Sequence, residues 1–459
     1  MKFKTLAIGN SRDLMFGIAP HPVKTRRGLL IGGGMVYPEL NFTVPPGAPI
    51  DRKTLPELRD KYAAAVREAL ERALHLDAEG LVIEFETLLE MTLDPFIGTE
   101  LTKAMNEVCE EYFQKYGLKS EIRLTPNDTR DFDRPPLMRS SRHLEGMFKL
   151  FEDGAAAGGD LLSIESTGGK EVCDDALLNC DIRQVVFALS VLGVRDMKFL
   201  WGKIAGIGKR QGKILGGDTA CGFGNTAMVL AEKQYIPRIF AAVVRAVSAV
   251  RSLVAIEEGA IGPDKDCAYE GVYLKAIAGI PISMEGKTAA CAHLSPLGNV
   301  AAACADLWSN ESVQNIKLLG GMAPTVYFEQ LQYDARLMNT ASASGSKGAA
   351  QLQKWLVDSD VCHDPQALIL APDSVVAISK EIVSAENYID ASVRAGLKAL
   401  SIIDEAIAAG YLKSSERENV WIERLREELQ SIPGDENRFV AEMQPLLDTE
   451  KVILSEYGL

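Results

Sequence analysis

Histidine, tryptophan and long apolar runs are all scarce in this 459-residue chain, which holds five His and four Trp. The histidines, at 21, 75, 143, 293 and 363, never take the HExxH spacing, which excludes a helix-borne pair of histidine ligands. Only His293, in CAHLSP near a strand end, stays of interest. No uninterrupted apolar run reaches the ~20 residues that a membrane span needs. The most apolar run, IFAAVVRAVSAV from Ile239 to Val250, is broken by Arg245. The opening MKFKTLAIGNSRDLMF has neither a continuous apolar core nor a small-residue cleavage site. Eight cysteines stand apart at 109, 173, 180, 221, 267, 291, 304 and 362 with no CxxC pair. A disulfide framework is therefore excluded, and a reduced, cytoplasmic chain is expected. Positive charge is short as well: 49 Lys and Arg against 63 Asp and Glu leave a net −14, which argues against a nucleic-acid partner. The run Gly32, Gly33 and Gly34 lacks the GxGxxG spacing and so makes no dinucleotide fingerprint.

What is present is a rhythm. The first 77 residues are punctuated by Pro20, Pro22, Pro38, Pro45, Pro46 and Pro49 and read as an extension packing on the main domain. They include a helix with Tyr62, Val66, Leu70 and Ala73 on one stripe. From about residue 80, short apolar strands alternate with amphipathic helices. GLVIEFET (80–87), SEIRLTPND (120–128), DLLSIEST (160–167), MKFLWGK (197–203) and KILGGDTACG (213–222) read as strands. Weaker candidates lie near Asp266–Ala268, at GIPISMEG (279–286) and at VQNIKLLGG (313–321). Eight alternations over 78–322 predict an α/β fold, a TIM-type (β/α)8 barrel, whose usual length is about 250 residues. A doubly wound sheet shares the rhythm, and the count of eight separates the two. Residues 323–459 read as a helical C-terminal addition.

A barrel collects its chemistry at the C-terminal ends of its strands. Glu165 in SIESTGG, Cys221 in GGDTACGFGN and Cys267 in GPDKDCAYEG all fall there. Two thiolates and a carboxylate converging from three strands would make a three-ligand zinc site with one position open, the mark of a catalytic zinc. The plain alternative is that the cysteines are buried small hydrophobes, the usual fate of a free thiol. Against it stand Gly216, Gly217, Gly222 and Gly224 around Cys221, a setting that core filling does not require.

The strings SIESTGGKEVCDDAL, ILGGDTACGFGNTAMVLAE and GPDKDCAYEG resemble the zinc-bearing subunit of methanol:corrinoid methyltransferases, a likeness running over most of the chain. The resemblance implies a TIM-type barrel with an added helical segment and one zinc ion per chain, bound by Glu165, Cys221 and Cys267. It further implies methyl transfer from methanol to cob(I)alamin carried by a separate corrinoid protein, within one-carbon metabolism of the methanogenic or acetogenic kind. The chain would then be part of a homo-oligomer within a hetero-oligomeric complex. Zinc would act as a Lewis acid on the alcohol oxygen. Proton management would fall to a carboxylate. In GLVIEFET the period of two puts Glu84 and Glu86 on one face, with Glu86 nearer the catalytic end. Glu86 is the first candidate general acid/base and Asp218 the second. Rival readings are a zinc methyltransferase for a methoxylated aromatic or a methylamine, and a scaffold whose zinc is structural. Half of the net charge falls from Lys380 onward, where 16 acidic residues face 9 basic ones. An acidic face of that kind steers a protein partner more than it tightens binding.

Overall fold

The computed structural model describes residues 1–265 and 267–459. An antiparallel hairpin comes first, β1 (Ile18–Lys24) with β2 (Leu30–Gly33). Seven parallel strands follow: β3 (Tyr37–Thr43), β4 (Gly80–Glu86), β5 (Lys119–Thr125), β6 (Leu161–Ile164), β7 (Ile214–Asp218), β8 (Ser283–Glu285) and β9 (Leu307–Val313). Their order in the sheet is β7-β6-β5-β4-β3-β9-β8. Residues 261–264 bridge the gap between the two ends. Ile261 and Gly262 donate backbone N–H bonds to Leu215 and Gly216 of β7 at 2.9 and 3.1 Å. Asp264 and Ser283 make the contacts on the β8 side, Asp264 N to Pro281 O at 2.9 Å and Ser283 N to Asp264 O at 2.8 Å. Eight chain segments thus surround one axis, the (β/α)8 arrangement expected, although they are not the eight segments read as strands from the sequence.

Alternation along each strand sorts residues between two environments. On β4, Leu81, Ile83 and Phe85 face the helices, where Tyr62 of helix Leu55–His75 stacks against Phe85 and Phe42 at 5.4 and 5.5 Å. Fully burying side chains of this size stabilises the fold by about 1.5–3 kcal/mol each. Val82, Glu84 and Glu86 take the other face. Inside the cylinder, Leu29 and Ile31 of the hairpin region form an apolar plug with Tyr37, Val82, Leu161 and Leu307. Above the plug sits a polar layer. Arg123 pairs with Glu39 (Nη2–Oε2 3.2 Å) and also donates to Ser163 Oγ and Pro263 O, both at 2.8 Å. This charge pair is tolerated because all three Arg123 nitrogens and both Glu39 oxygens are used.

Several sequence expectations change. The N-terminal 77 residues are not an appendage: β3 and helix Leu55–His75 form the first strand and helix of the barrel. Pro38 and the polar inward residues Glu39 and Asn41 disguise that strand, because this barrel interior is polar. MKFLWGK is not a strand but part of helix Val194–Gln211, whose buried Val194, Met197, Leu200, Trp201 and Ile204 follow a period near 3.6. The basic segment GKIAGIGKRQGK (202–213) is mostly the end of that helix. At 313–321 only a two-residue pairing is present, Lys317–Leu318 with Gly321–Met322, and the barrel strand is β9 just before it. The candidate strand at Asp266–Ala268 begins on a residue outside those described, and the strand-like pairing lies at 261–264. Helix Ala323–Ala343 packs on β3 and β9 and so closes the barrel, which moves the start of the helical addition past Ala343.

That addition comprises helices Ser346–Asp358, Pro365–Leu370, Pro372–Ser384, Tyr388–Ala408, Glu416–Gln430 and Glu436–Met443. Several of its acidic residues pair along their own helices, as in Asp390–Arg394, Glu428–Arg424 and Glu442–Arg438, each at 2.9 Å. Tyr388–Ala408 packs on Arg238–Glu257, which among the described residues is the one helix long and apolar enough to cross a membrane. It lies wholly buried, its Arg245 donating to Gln366 Oε1 at 2.9 Å and its Arg251 to Ser166 O at 2.7 Å.

Candidate metal centre

Glu165, Cys221 and Cys267 come together at the C-terminal mouth of the barrel, their ligand atoms all within 4.8 Å of one another. Each arrives by a different route. Glu165 is the first residue beyond β6. Cys221 opens a single π-helical turn, Cys221–Asn225, that leads into helix Thr226–Glu232. Such turns recur at functional positions because the extra residue re-aims a side chain. Cys267 follows the segment that closes the cylinder, and its Sγ lies 3.4 Å from Glu165 Oε1. One buried carboxylate ties the two cysteine loops together. Glu270 accepts from Ala220 N at 2.5 Å, from Thr219 Oγ1 at 3.2 Å and from Ser252 Oγ at 2.7 Å.

Lys265 stands beside the triad. Its Nζ is 2.6 Å from Glu84 Oε1, 3.4 Å from Glu86 Oε2 and 3.2 Å from Glu165 Oε1. Burial opposes a charge on Lys265, but Glu84, Glu86, Glu165 and Cys267 outweigh it and hold its pKa well above the ordinary lysine value. Burial likewise works against Glu84, yet Lys265 and Arg123 keep that carboxyl below its usual range. Glu86 behaves differently. Burial pushes it up to about 7, with Glu165 and Glu84 adding to the shift and Lys265 and Asn41 opposing it. Asn41 Nδ2 donates to Glu86 Oε2 at 3.0 Å. Two glutamates on one face of one strand thus differ in proton affinity, the arrangement by which a site keeps one carboxyl ionised and lets another carry a proton.

The thiols fit a metal. The hydrogen bond from Cys267 pulls Cys221 down, but burial and the carboxylates Glu165, Glu285 and Glu86 outweigh it and push the thiol up to about 12. Burial drives Cys267 well above its ordinary value. Only a strongly bound cation would turn such thiols into ligands. Two sulfurs and one oxygen at this spacing suit zinc with one position left open.

Asp218 does not reach the mouth. The pairing of β6 with β7 slips by one residue between Leu162 and Ser163, so that Ser163 opposes Gly217. Gly217 has φ +154°, and a Cβ there would run into the Asp264 carboxylate. The slip turns Asp218 outward, where it accepts from Ser166 N (3.1 Å), Ser166 Oγ (2.6 Å) and Trp201 Nε1 (2.9 Å), with Arg251 3.7 Å away. Burial raises it to about 6 against these partners. It buttresses the residue next to Glu165. Of the residues named from sequence, Glu86, Glu165, Cys221 and Cys267 therefore meet at the mouth, and Asp218 stands behind it. Lys265 and Glu270 went unnamed, although both lie within three residues of Cys267 in GPDKDCAYEG.

A family model for the methanol-cobalamin methyltransferase B subunit matches residues 1–458. The chain belongs to this family. A relative from Methanosarcina barkeri, a methanol–corrinoid protein co-methyltransferase, is 36% identical over 443 residues, spanning 96% of this chain and 95% of that one. A chain in the crystal structure of the methanol:cobalamin methyltransferase complex MtaBC from the same organism superposes with a TM-score of 0.95 at 34% identity, covering 100% of this chain and 99% of that chain. The TIM-type barrel expected from the alternation is thereby the fold of the B subunit in a solved complex.

Proposed function

We propose that this chain transfers the methyl group of methanol to cob(I)alamin carried by a separate corrinoid protein, with zinc held by Glu165, Cys221 and Cys267. The observation that supports it is the convergence of those three donors at the mouth of a barrel whose family is named for this reaction. When bound there, zinc supplies Lewis acidity to the alcohol oxygen and so makes a poor leaving group leave. The chain's own residues do the rest. Lys265 balances the crowded carboxylates and keeps Glu84 ionised. Glu86, about a third exposed at the mouth, is the carboxyl able to hold a proton near neutral pH. Asp218 positions Ser166, and through it the end of β6 that carries Glu165. The plug formed by Leu29 and Ile31 closes the barrel's far end, so substrate and acceptor enter from one side. The chain works as one subunit of an assembly with the corrinoid protein, as a homo-oligomer within it, in the cytoplasm.

Metal quantification tests the ligand set. Wild type is expected to hold one zinc per chain, and Glu165→Gln, Cys221→Ala and Cys267→Ala to lose it, by more than the roughly 10–100-fold in affinity that losing an outer-shell partner of a ligand costs. Retention of zinc by all three variants would remove the assignment.

A further inference from the structure

Methyl transfer from methanol to cob(I)alamin consumes a proton. The C–O bond breaks with its electron pair on oxygen, the two-electron nucleophile cobalt(I) forms the Co–C bond, and the departing oxygen leaves as water only if one H⁺ is delivered to it. Leu29 and Ile31 plug the far end of the barrel, so while substrate and acceptor occupy the mouth the proton needs a side entrance.

We propose that Glu285 and His293 form that entrance, a proton relay from solvent to the mouth; this rests on the methanol reaction proposed above. Glu285 ends β8, two residues beyond Ser283, which donates to Glu39 inside the cylinder. Alternation therefore turns Glu285 inward too. It is 4% exposed, and its Oε2 meets His293 Nδ1 at 3.0 Å and the Tyr269 hydroxyl at 3.4 Å. Its Oε1 is buried with no hydrogen-bond partner among the described residues and so is free to pass a proton inward. His293 caps helix Lys287–Ala292, which is tied down by Lys287–Asp334 at 3.1 Å and Thr288–Gln330 at 3.0 Å. Its side chain is 27% exposed. It thus touches both water and the buried carboxylate.

The charges facing the pair are Glu311 from β9, Glu86 from β4, Glu165, Lys265, Cys221, Cys267 and Tyr269, with the Lys287–Asp334 pair outside. The hydrogen bond to Glu285 is the main reason that His293 rises to about 9, and it keeps the imidazole loaded at neutral pH. Neither residue belongs to the Glu165, Cys221 and Cys267 cluster, so the relay would supply the proton without holding the metal.

The test uses the full, zinc-loaded chain with selectively labelled histidine, where five resonances are expected and His293→Gln assigns one. In wild type the His293 imidazole should titrate well above its ordinary value of about 6.5, and in Glu285→Gln it should fall back toward that value. In methyl transfer, His293→Gly should lose about 10²-fold in kcat with KM for methanol within about twofold, and added imidazole should restore much of the loss. Glu285→Gln should lose a similar factor that imidazole does not restore. An ordinary titration untouched by Glu285→Gln would overturn the relay. So would unchanged kcat in both variants, or a loss in His293→Gly that imidazole cannot repair. Failure of the functional reading looks different, because there wild type itself would not methylate cob(I)alamin from methanol.

Discussion

Glu84 and Glu86 share a strand, a face and a lysine, yet they differ in proton affinity. Lys265 reaches Glu84 at 2.6 Å and Glu86 at only 3.4 Å, so the ammonium secures one carboxylate and leaves the other to burial and crowding. That difference supports the proposal that Glu86 holds the exchangeable proton at the mouth. Glu86→Gln is expected to lower kcat for methyl transfer by about 10²-fold while zinc content holds. A near wild-type rate would take Glu86 out of the mechanism. Glu165, Cys221 and Cys267 were legible from sequence because each sits at a strand end in a glycine- and acid-rich string. Lys265 was not, since its partner Glu84 lies 181 residues away and nothing local announces the pair. Asp218, three residues before Cys221, does not join Glu165, Cys221 and Cys267, because the strand slip opposite Ser163 turns it outward to Ser166 and Trp201.

At the scale of elements, the helices read well and the strands less well. Pro95–Tyr116 ends at Gly117 with φ 71°, as its glycine suggests. β3 and β9 escaped notice because their inward positions are Glu39, Asn41, Ser309 and Glu311 rather than apolar residues. The same polarity that hides them from pattern reading furnishes the mouth with its charges. One short helix offers a pH test. Asp364 caps Pro365–Leu370, accepting from Gln366 N at 2.7 Å, and burial raises its carboxyl to about 7. A folded-state value above the unfolded one of about 3.9 means that ionisation opposes folding. The penalty is absent below about pH 4, grows as the pH rises and is complete above about 7. Asp364→Asn, which can keep the cap, should therefore stabilise the protein by on the order of 2 kcal/mol at about pH 8 and by far less at about pH 4.5, as read from denaturant melts. An equal effect at both pH values would contradict this.

For the whole molecule, the helical addition does more than cover a flank. Near the end of the chain, Glu456 accepts from Arg139 N and Ser140 N at 2.7 and 3.0 Å. The Tyr457 hydroxyl accepts from Gly169 N at 3.0 Å, and Lys451 meets Asp175 at 2.7 Å. These contacts brace the loop after β5 and the loop that carries Glu165. Tyr457→Phe should cost about 1 kcal/mol of stability and speed zinc loss to a chelator, while leaving the barrel's circular dichroism unchanged. An unchanged rate of zinc loss would show that the brace does not reach the metal.

The proposed function is a metal-dependent transfer of methyl from methanol to cobalt. Its most direct test follows absorbance as cob(I)alamin on the corrinoid protein becomes methylcob(III)alamin, with zinc-loaded wild type run beside Cys267→Ala. Wild type should convert the corrinoid only when methanol is present, and Cys267→Ala should be slower by about 10³-fold, the scale of several kcal/mol of Lewis-acid assistance. A wild type that leaves the corrinoid unmethylated, or a Cys267→Ala variant that matches it, would contradict the account.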